Sequence, residues 1–302
     1  MEAIVFEEFG GPEVLRLVET AKPQPGPGQV RVRVAAAGVN PLDHKIRNGW
    51  MQAVFPTPLP ATPGAEFAGT VDAVGEGVTD TAVGDEVLGW TATGAYAQYA
   101  LSSSYAPKPA GLDWTAAAAL PVATETAARV LALLGVRSGE TLLVHGAAGV
   151  VGATAVQLAV AAGAEVVGTA SPANHDYVRS LGATPVAYGE GLVGRVRAVA
   201  PRGVDAVFDA AGKGALPDSI ELRGGTAERI VTIADPEAGT YGVTFSANTV
   251  EAPEPALFEH ARLAADGTLR VTIVETFPLA EAAKAQTLSE TGHAPGKIVI
   301  TP

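Results

Sequence analysis

Apolar and polar positions alternate in EAIVF and VLRLVE at the start of the chain. The alternation predicts two short strands separated by the Phe9-Gly10-Gly11-Pro12 turn. After a proline-rich link, KPQPGPGQ, the segment VRVRVAAAG places Val30, Val32 and Val34 on one face and Arg31 and Arg33 on the other, as in a half-buried strand. Further β-like pieces follow in EFAGTVDAVG, DEVLGW and AYAQYALSS, with glycines at Gly69, Gly75, Gly77, Gly84, Gly89 and Gly94. Turns spaced so closely predict a curled, barrel-like β domain through about Ala110.

The texture changes at Trp114. Residues 114–134 are rich in alanine and leucine with Pro121 as the main breaker, which predicts a helical region bridging two domains. From Thr141 the order becomes strand TLLVH, helix GVVGATAVQLAVAAG and strand EVVGT. A helix around 173–181, a strand near Pro185 to Tyr188, a helix near 191–200, VDAVFDAA, a helix near 215–222 and RIVTIA continue the alternation. This is the rhythm of a parallel sheet covered by helices, so the fold class expected is α/β. Helix-like stretches at 254–265 and 279–290 precede GKIVITP, a strand short enough to pair back onto an existing sheet.

A length of 302 residues suits two domains. The formal charge of −12, with no offsetting basic stripe, argues against sequence-independent nucleic-acid binding and gives no reason to expect an anionic membrane as partner. No cysteine is present, so disulfides and thiolate metal ligands are excluded, and the histidines His44, His145, His175, His260 and His293 are scattered. No metal site is expected. The start, MEAIVFEEFGG, does not read as a secretory signal, and the apolar segment Leu142 to Ala162 reads as strand, turn and buried helix instead of a membrane span. A cytoplasmic location is the default expectation.

The strongest local signal is TLLVHGAAGVVGATAVQLA, where Gly146, Gly149 and Gly152 stand between an apolar strand and an apolar helix. Glycine lets the backbone turn sharply and approach a dinucleotide pyrophosphate, whose charge a helix N-terminus favours. Ala147 breaks the usual G-x-G-x-x-G pattern, whereas Gly149 and Gly152 keep its final spacing. An NAD-selective site commonly carries an acid near the end of the second strand. Here Thr169-Ala170-Ser171-Pro172-Ala173-Asn174-His175 offers none before Asp176, and Ser171 and Asn174 can hydrogen-bond a 2′-phosphate without repelling it. Ser171 before Pro172 also reads as a helix N-cap. NADPH is the cofactor expected.

Several motifs in the same order resemble the zinc-free quinone oxidoreductase, or zeta-crystallin-like, branch of the medium-chain dehydrogenase/reductase superfamily. They are Val39-Asn40-Pro41-Leu42-Asp43, Pro63-Gly64-Ala65-Glu66-Phe67-Ala68-Gly69, Gly84-Asp85-Glu86-Val87, Leu120-Pro121-Val122-Ala123 with Thr126, HGAAGVVG and Gly296-Lys297-Ile298-Val299. The resemblance implies a GroES-like β-barrel-type catalytic domain, residues 1–120 with 260–302, and a Rossmann NADPH-binding domain, residues 121–259. It also implies an active-site cleft at their interface and a homodimer built partly through the cofactor domains. Zinc-dependent relatives have a cysteine at or beside the position of Asn40 and a histidine where Ala65 stands, so catalytic zinc is not expected.

Residue by residue, the resemblance places Asn40 at the nicotinamide and Thr126 against the cofactor. Gly149, Val150, Val151 and Gly152 take the pyrophosphate turn, although relatives usually have consecutive glycines before the valine and Val150 departs from that. Ser171 and Asn174 match a common NADPH-side arrangement, with Ala173 where some relatives are basic, and Ala211 lies beside the ribose. Lys45 either stabilises an enolate or is a solvent-facing lysine, and Arg47 is a candidate orienting partner. Trp50, Trp90 and Phe245 are candidates for the acceptor pocket, with core packing as the alternative for each. Glu66 and Asp43 are expected to serve hydrogen-bonding and loop geometry. The function expected is hydride transfer from NADPH to a small-molecule electron acceptor, a quinone. The alternatives are enoyl or alkenal/one C=C reduction, or a non-catalytic NADPH-binding protein.

Overall fold

A computed structural model describes every residue except Ala92, 248–255 and 293–294, so His293 and the first two positions of the expected 254–265 helix lie outside the described residues. By contact the chain divides into two units, Met1–Val122 with Val250–Pro302, and Ala123–Thr249.

In the first unit, β1 (Glu2–Val5) and β2 (Arg16–Glu19) pair antiparallel across the expected turn. The long β3 (Val30–Val39) runs directly into helix α1 (Pro41–Arg47), and β4 (Glu66–Val74), β5 (Glu86–Trp90), β6 (Tyr99–Ser102) and β7 (Ser104–Pro107) follow. Val30, Val32 and Val34 point into the core with Phe67 and Tyr96, as the alternation predicts. Arg31 departs from the solvent-facing reading. It is buried, with Nε donating to Asp72 Oδ1 at 2.7 Å, because β4 and Tyr99 cover that part of its face. Arg33 is exposed.

Pro121 divides the predicted helical region into α2 (Trp114–Ala118) and α3 (Pro121–Leu134). Asp113 starts α2 by accepting a hydrogen bond from Ala116 N at 2.8 Å. The chain passes into the second unit along α3. There β8 (Thr141–His145), α4 (Val150–Ala161), β9 (Glu165–Thr169), α5 (His175–Ser180), β10 (Thr184–Val186), α6 (Leu192–Val199), β11 (Ala206–Asp209), α7 (Leu216–Leu222), β12 (Ile230–Thr232) and β13 (Thr244–Phe245) alternate. The six strands are parallel in the order β10-β9-β8-β11-β12-β13. The strand order reverses between β8 and β11, and in such doubly wound sheets ligands bind outside the carboxyl ends of the strands at that point.

After the second unit come α8 (Leu257–Ala265), β14 (Ile273–Pro278), α9 (Ala282–Glu290) and β15 (Lys297–Thr301). Leu257 and Ala261 of α8 bury themselves with Leu88, Leu120 and Val299, which is why contact assigns this helix to the first unit, ahead of the return expected at 260. β15 slots between β14 and β3, pairing Ile298 with Val39 antiparallel, so the first unit's sheet has the order β14-β15-β3-β4-β5-β7 with β6 also on β3.

Candidate active site

The catalytic-domain residues gather where β3 ends. Asn40 leaves β3 and starts α1, and its backbone N–H donates to Asp43 Oδ2 at 2.9 Å, which fixes the entry into the helix. Tyr96 donates its hydroxyl to the same Asp43 oxygen at 2.8 Å. The Asn40 side chain faces the other way. Its Nδ2 donates to Glu66 Oε1 at 2.8 Å, and its Oδ1 accepts from Lys297 Nζ at 2.7 Å. Lys297 also forms an ion pair with Glu66 Oε1, and Val122 N donates to Glu66 Oε2 at 2.8 Å. Asn40, Asp43, Glu66, Tyr96 and Lys297 are all buried. Every buried charge or polar group in this set therefore has a partner, the condition under which such a network rigidifies a core and fixes one arrangement of it.

Burial raises the Asp43 carboxyl to about 6, only partly offset by the Asn40 and Tyr96 hydrogen bonds and by Lys297. Burial, with the Asp43 charge beside it, also raises the Tyr96 phenol well above its ordinary value. Backbone sterics keep the cluster tight. A methyl at Gly64, whose φ is +96°, would come 2.5 Å from the Tyr96 ring, and one at Gly38 would come 2.7 Å from Lys297 Cε and nearer still to Glu66. Among the described residues no group of three or more His, Cys, Asp or Glu side chains is arranged to hold a metal. Glu66 already has an ammonium as counter-ion, and Asn40 and Ala65 supply neither thiolate nor imidazole. The donor set does not fit zinc.

Arg47 is corrected from orienting partner to clamp. Its side chain is 0% exposed, Nε donates to Gly10 O at 3.0 Å, Nη1 to Gln286 Oε1 at 2.5 Å, and Nη2 pairs with Glu290. A guanidinium spent on α9 and on the turn after β1 has nothing to offer an acceptor. Lys45 is half-buried on α1. Trp50 follows α1 and is 70% exposed, and Phe9, Val54 and Leu59 are exposed as well. Residues 49–65 carry no charged side chain, so this exposed segment presents apolar surface. Trp90 packs with Leu88 and Leu257, and its buried indole N–H has no hydrogen-bond partner among the described residues.

In the cofactor domain the three loop glycines do different work. Gly146 takes φ +75° directly after β8. Gly149 is the N-cap of α4, with room for a methyl, since the nearest atom would be Gly146 O at 3.4 Å. At Gly152 a methyl would meet Gly146 C at 2.8 Å and Ala147 Cα at 3.0 Å, so the helix can approach the turn only through glycine. Val150 opens α4 and its carbonyl accepts from Thr154 Oγ1 at 2.9 Å, while Val151 packs onto the domain core. The extra β-branched side chain at Val150 therefore leaves the turn intact. The N-terminus of this twelve-residue helix lies at the point of strand reversal, suited to a pyrophosphate.

Sequence reasoning passed over the polar chain beneath this turn. Gly146 N donates to Thr169 Oγ1 at 3.2 Å, Thr169 Oγ1 lies 3.4 Å from His145 Nδ1, and His145 Nε2 lies 2.9 Å from Ser219 Oγ. Ser219 spends its hydroxyl hydrogen on Ala215 O at 2.7 Å, so the imidazole is the donor at Nε2 and the acceptor at Nδ1. Burial lowers the His145 pKa, in keeping with a neutral ring. Asp209 was likewise unassigned. Its Oδ1 accepts from Ala211 N and Gly212 N, each at 3.0 Å, and its Oδ2 from Thr232 Oγ1 at 2.8 Å, holding the segment after β11. The only sequence signal for either was a polar residue closing an apolar strand.

Ser171 holds the expected N-cap position of a short 3-10 turn at Pro172–Asn174, but its hydroxyl makes no capping bond, because Asn174 N is satisfied by Ser171 O at 2.9 Å. Asn174 is partly exposed beside it, and Arg179 is paired with Asp176 at 2.5 Å. Thr126 is buried on α3 next to Glu125, which pairs with Arg129 at 2.6 Å, and Arg129 also reaches Ser246. Phe245 is 44% exposed on β13, the edge strand.

The alcohol dehydrogenase GroES-like domain family matches residues 26–112, and the zinc-binding dehydrogenase family matches residues 181–300. A quinone oxidoreductase of Lama guanicoe is 35% identical over 99% of this chain and 97% of its own. The NADPH-dependent alkenal/one oxidoreductase of Arabidopsis thaliana chloroplasts is 32% identical over 100% of this chain and 80% of its own. With the quinone oxidoreductase of Rattus norvegicus the identity rises to 43%, but over 56% of this chain and about half, 53%, of that protein. The solved quinone oxidoreductase of Coxiella burnetii superposes with a TM-score of 0.89 at 32% identity, covering 100% of this chain and 99% of that one. The GroES-like unit, the parallel sheet with its glycine turn and these matches along the whole chain agree: the protein belongs to the quinone oxidoreductase branch of the medium-chain dehydrogenase/reductase superfamily.

Proposed function

We propose that the protein uses NADPH to reduce a quinone. The observation that carries the cofactor half is the end of β9, where no acid stands before Asp176 and the Ser171 hydroxyl is not spent on its own turn. A carboxylate there would repel a 2′-phosphate, whereas a hydroxyl and the Asn174 amide accept it. Bound NADPH supplies the hydride. The protein's share is to hold and orient. The turn at Gly149, Val150, Val151 and Gly152 and the N-terminus of α4 take the pyrophosphate, Ser171 and Asn174 the 2′-phosphate, Ala211 and Thr126 the flanking cofactor groups, and Asn40 the nicotinamide side.

Without a metal, acceleration rests on holding donor and acceptor together and on hydrogen-bond donors aimed at the oxygen that gains charge. The uncharged segment around Trp50 suits an apolar, planar acceptor, with Trp90 and Phe245 as further pocket candidates. Lys45 is the cationic side chain nearest in sequence to Asn40 that can offset an enolate, and water is the alternative proton source.

Stopped-flow oxidation of pre-bound NADPH against a panel of quinones and enones tests this. Rapid turnover with quinones alone supports the proposal, and stoichiometric reduction of a C=C bond replaces it with alkenal/one or enoyl reduction. Binding of NADPH without oxidation by any acceptor points to a non-catalytic protein. We further propose a homodimer, for which the exposed edge strand β13 is the supporting feature and light scattering in solution the check. Among the described residues no helix is long and apolar enough to cross a membrane. A cytoplasmic location is part of the same proposal and is checked by cell fractionation.

A further inference from the structure

The Asn40 amide is held by two unlike partners. Its oxygen faces the Lys297 ammonium, and one of its N–H bonds faces the Glu66 carboxylate. Flipping the amide would set donor against donor and acceptor against acceptor, in a buried site where an unpaired polar group is costly and charge raises that cost. Lys297 and Glu66 therefore fix both the plane and the sense of the amide. Asn40 has a second Nδ2 hydrogen, and that hydrogen points in one direction only, set by the first two bonds.

We propose that Lys297 is a positioning residue for the reaction: by gripping Asn40 Oδ1 it fixes the second Nδ2–H as a donor to a carbonyl oxygen, that of the nicotinamide carboxamide or that of the acceptor. The proposal rests on the reading that Asn40 meets the nicotinamide side of the site. The cradle is sterically specified, since a methyl at Gly38 would drive Lys297 and Glu66 apart. Lys297 is delivered by β15, whose pairing of Ile298 with Val39 places it beside the end of β3. A preset donor needs no reorganisation when charge develops on the oxygen, which is the advantage of a rigid site over water.

A thermodynamic cycle on the full chain tests the coupling, using K297M, N40A and the K297M/N40A pair. The readouts are NADPH dissociation constant by fluorescence, single-turnover hydride transfer to a quinone, and Tm. K297M is expected to weaken one of the first two by about tenfold or more, and to change neither by more than about twofold once Asn40 is absent, while its effect on Tm persists. A change in NADPH affinity identifies the carboxamide as the carbonyl, and slower hydride transfer at unchanged affinity identifies the acceptor.

Should K297M fail to fold, E66Q/K297M removes both charges together. The glutamine amide introduced there can pair with the Asn40 amide in either sense, so the same loss is expected. An equal factor from K297M with and without Asn40, or no change beyond Tm, overturns the proposal. If N40A alone leaves affinity and hydride transfer intact, the underlying reading of Asn40 fails as well, a result distinct from additivity.

Discussion

Replacing Asp43 by asparagine is expected to stabilise the catalytic domain at neutral pH, although the residue is buried and hydrogen-bonded. Burial holds the folded carboxyl at about 6 against an ordinary 3.8, so the native state binds this proton more tightly than the unfolded chain. The sign follows. Asp43 contributes most below pH about 4, and its contribution is lost as pH rises through about 6. A gap of about two pH units at about 1.36 kcal/mol each makes the ionised carboxylate roughly 3 kcal/mol worse than an unshifted one. Both hydrogen bonds land on one oxygen, Oδ2, so an asparagine carbonyl retains them and its amide nitrogen replaces Oδ1. D43N is therefore expected to gain about 1–3 kcal/mol at about pH 8 and nothing at about pH 4.5. All three tryptophans, Trp50, Trp90 and Trp114, lie in this unit, so urea denaturation followed by their fluorescence reports on it. The quantity to compare is the difference between wild type and variant at each pH. A difference that stays constant from about pH 4.5 to about 8, or a loss at the upper end, refutes the reasoning.

The loop glycines give a paired contrast. G152A is expected to cost about 1–3 kcal/mol of stability and to weaken NADPH binding, whereas G149A leaves both nearly unchanged, as thermal melts and fluorescence titration would show. S171E places a carboxylate against the 2′-phosphate and is expected to weaken NADPH by about tenfold or more, about 1.4 kcal/mol, with little effect on NADH. Equal losses for both cofactors would remove Ser171 from the phosphate. R47M is expected to lower stability by about 3 kcal/mol, because it strips Gln286 and Glu290 of a buried partner, with the KM for the acceptor unchanged in those molecules that fold. A raised acceptor KM at unchanged Tm would return Arg47 to the site.

The elements were legible wherever one period dominated. The alternation in VRVRVAAAG and the repeated strand–helix rhythm from Thr141 specified β3 and the parallel sheet, because each buries one kind of face. Arg31 escaped that logic, since its burial depends on Asp72 and Tyr99, far along the chain. Site residues split in the same way. Gly146 and Gly152 were readable because backbone conformation and close approach demand glycine locally. The partners of Asn40 and Asp43 and the chain beneath the glycine turn were not, since Lys297, Tyr96, Thr169 and Ser219 reach their places only through sheet register and helix packing. Arg47 was misread for the same reason: α1 shows a cation on its surface pattern, and only α9, 239 residues away at Gln286, shows that it is clamped.

β15 has a consequence for how the protein is made. The cofactor domain is one continuous segment of chain, so it can fold as soon as that segment has emerged from the ribosome. The catalytic domain cannot, because the end of β3 lacks one of its two neighbours until a strand some 257 residues later arrives. Until then the backbone groups of Ala37 to Val39 are an open template for another strand, and Asn40 and Glu66 await their cation. A nascent or prematurely stopped chain would thus carry a folded cofactor domain and a sticky, unfinished barrel, a species for chaperones to shield and proteases to clear.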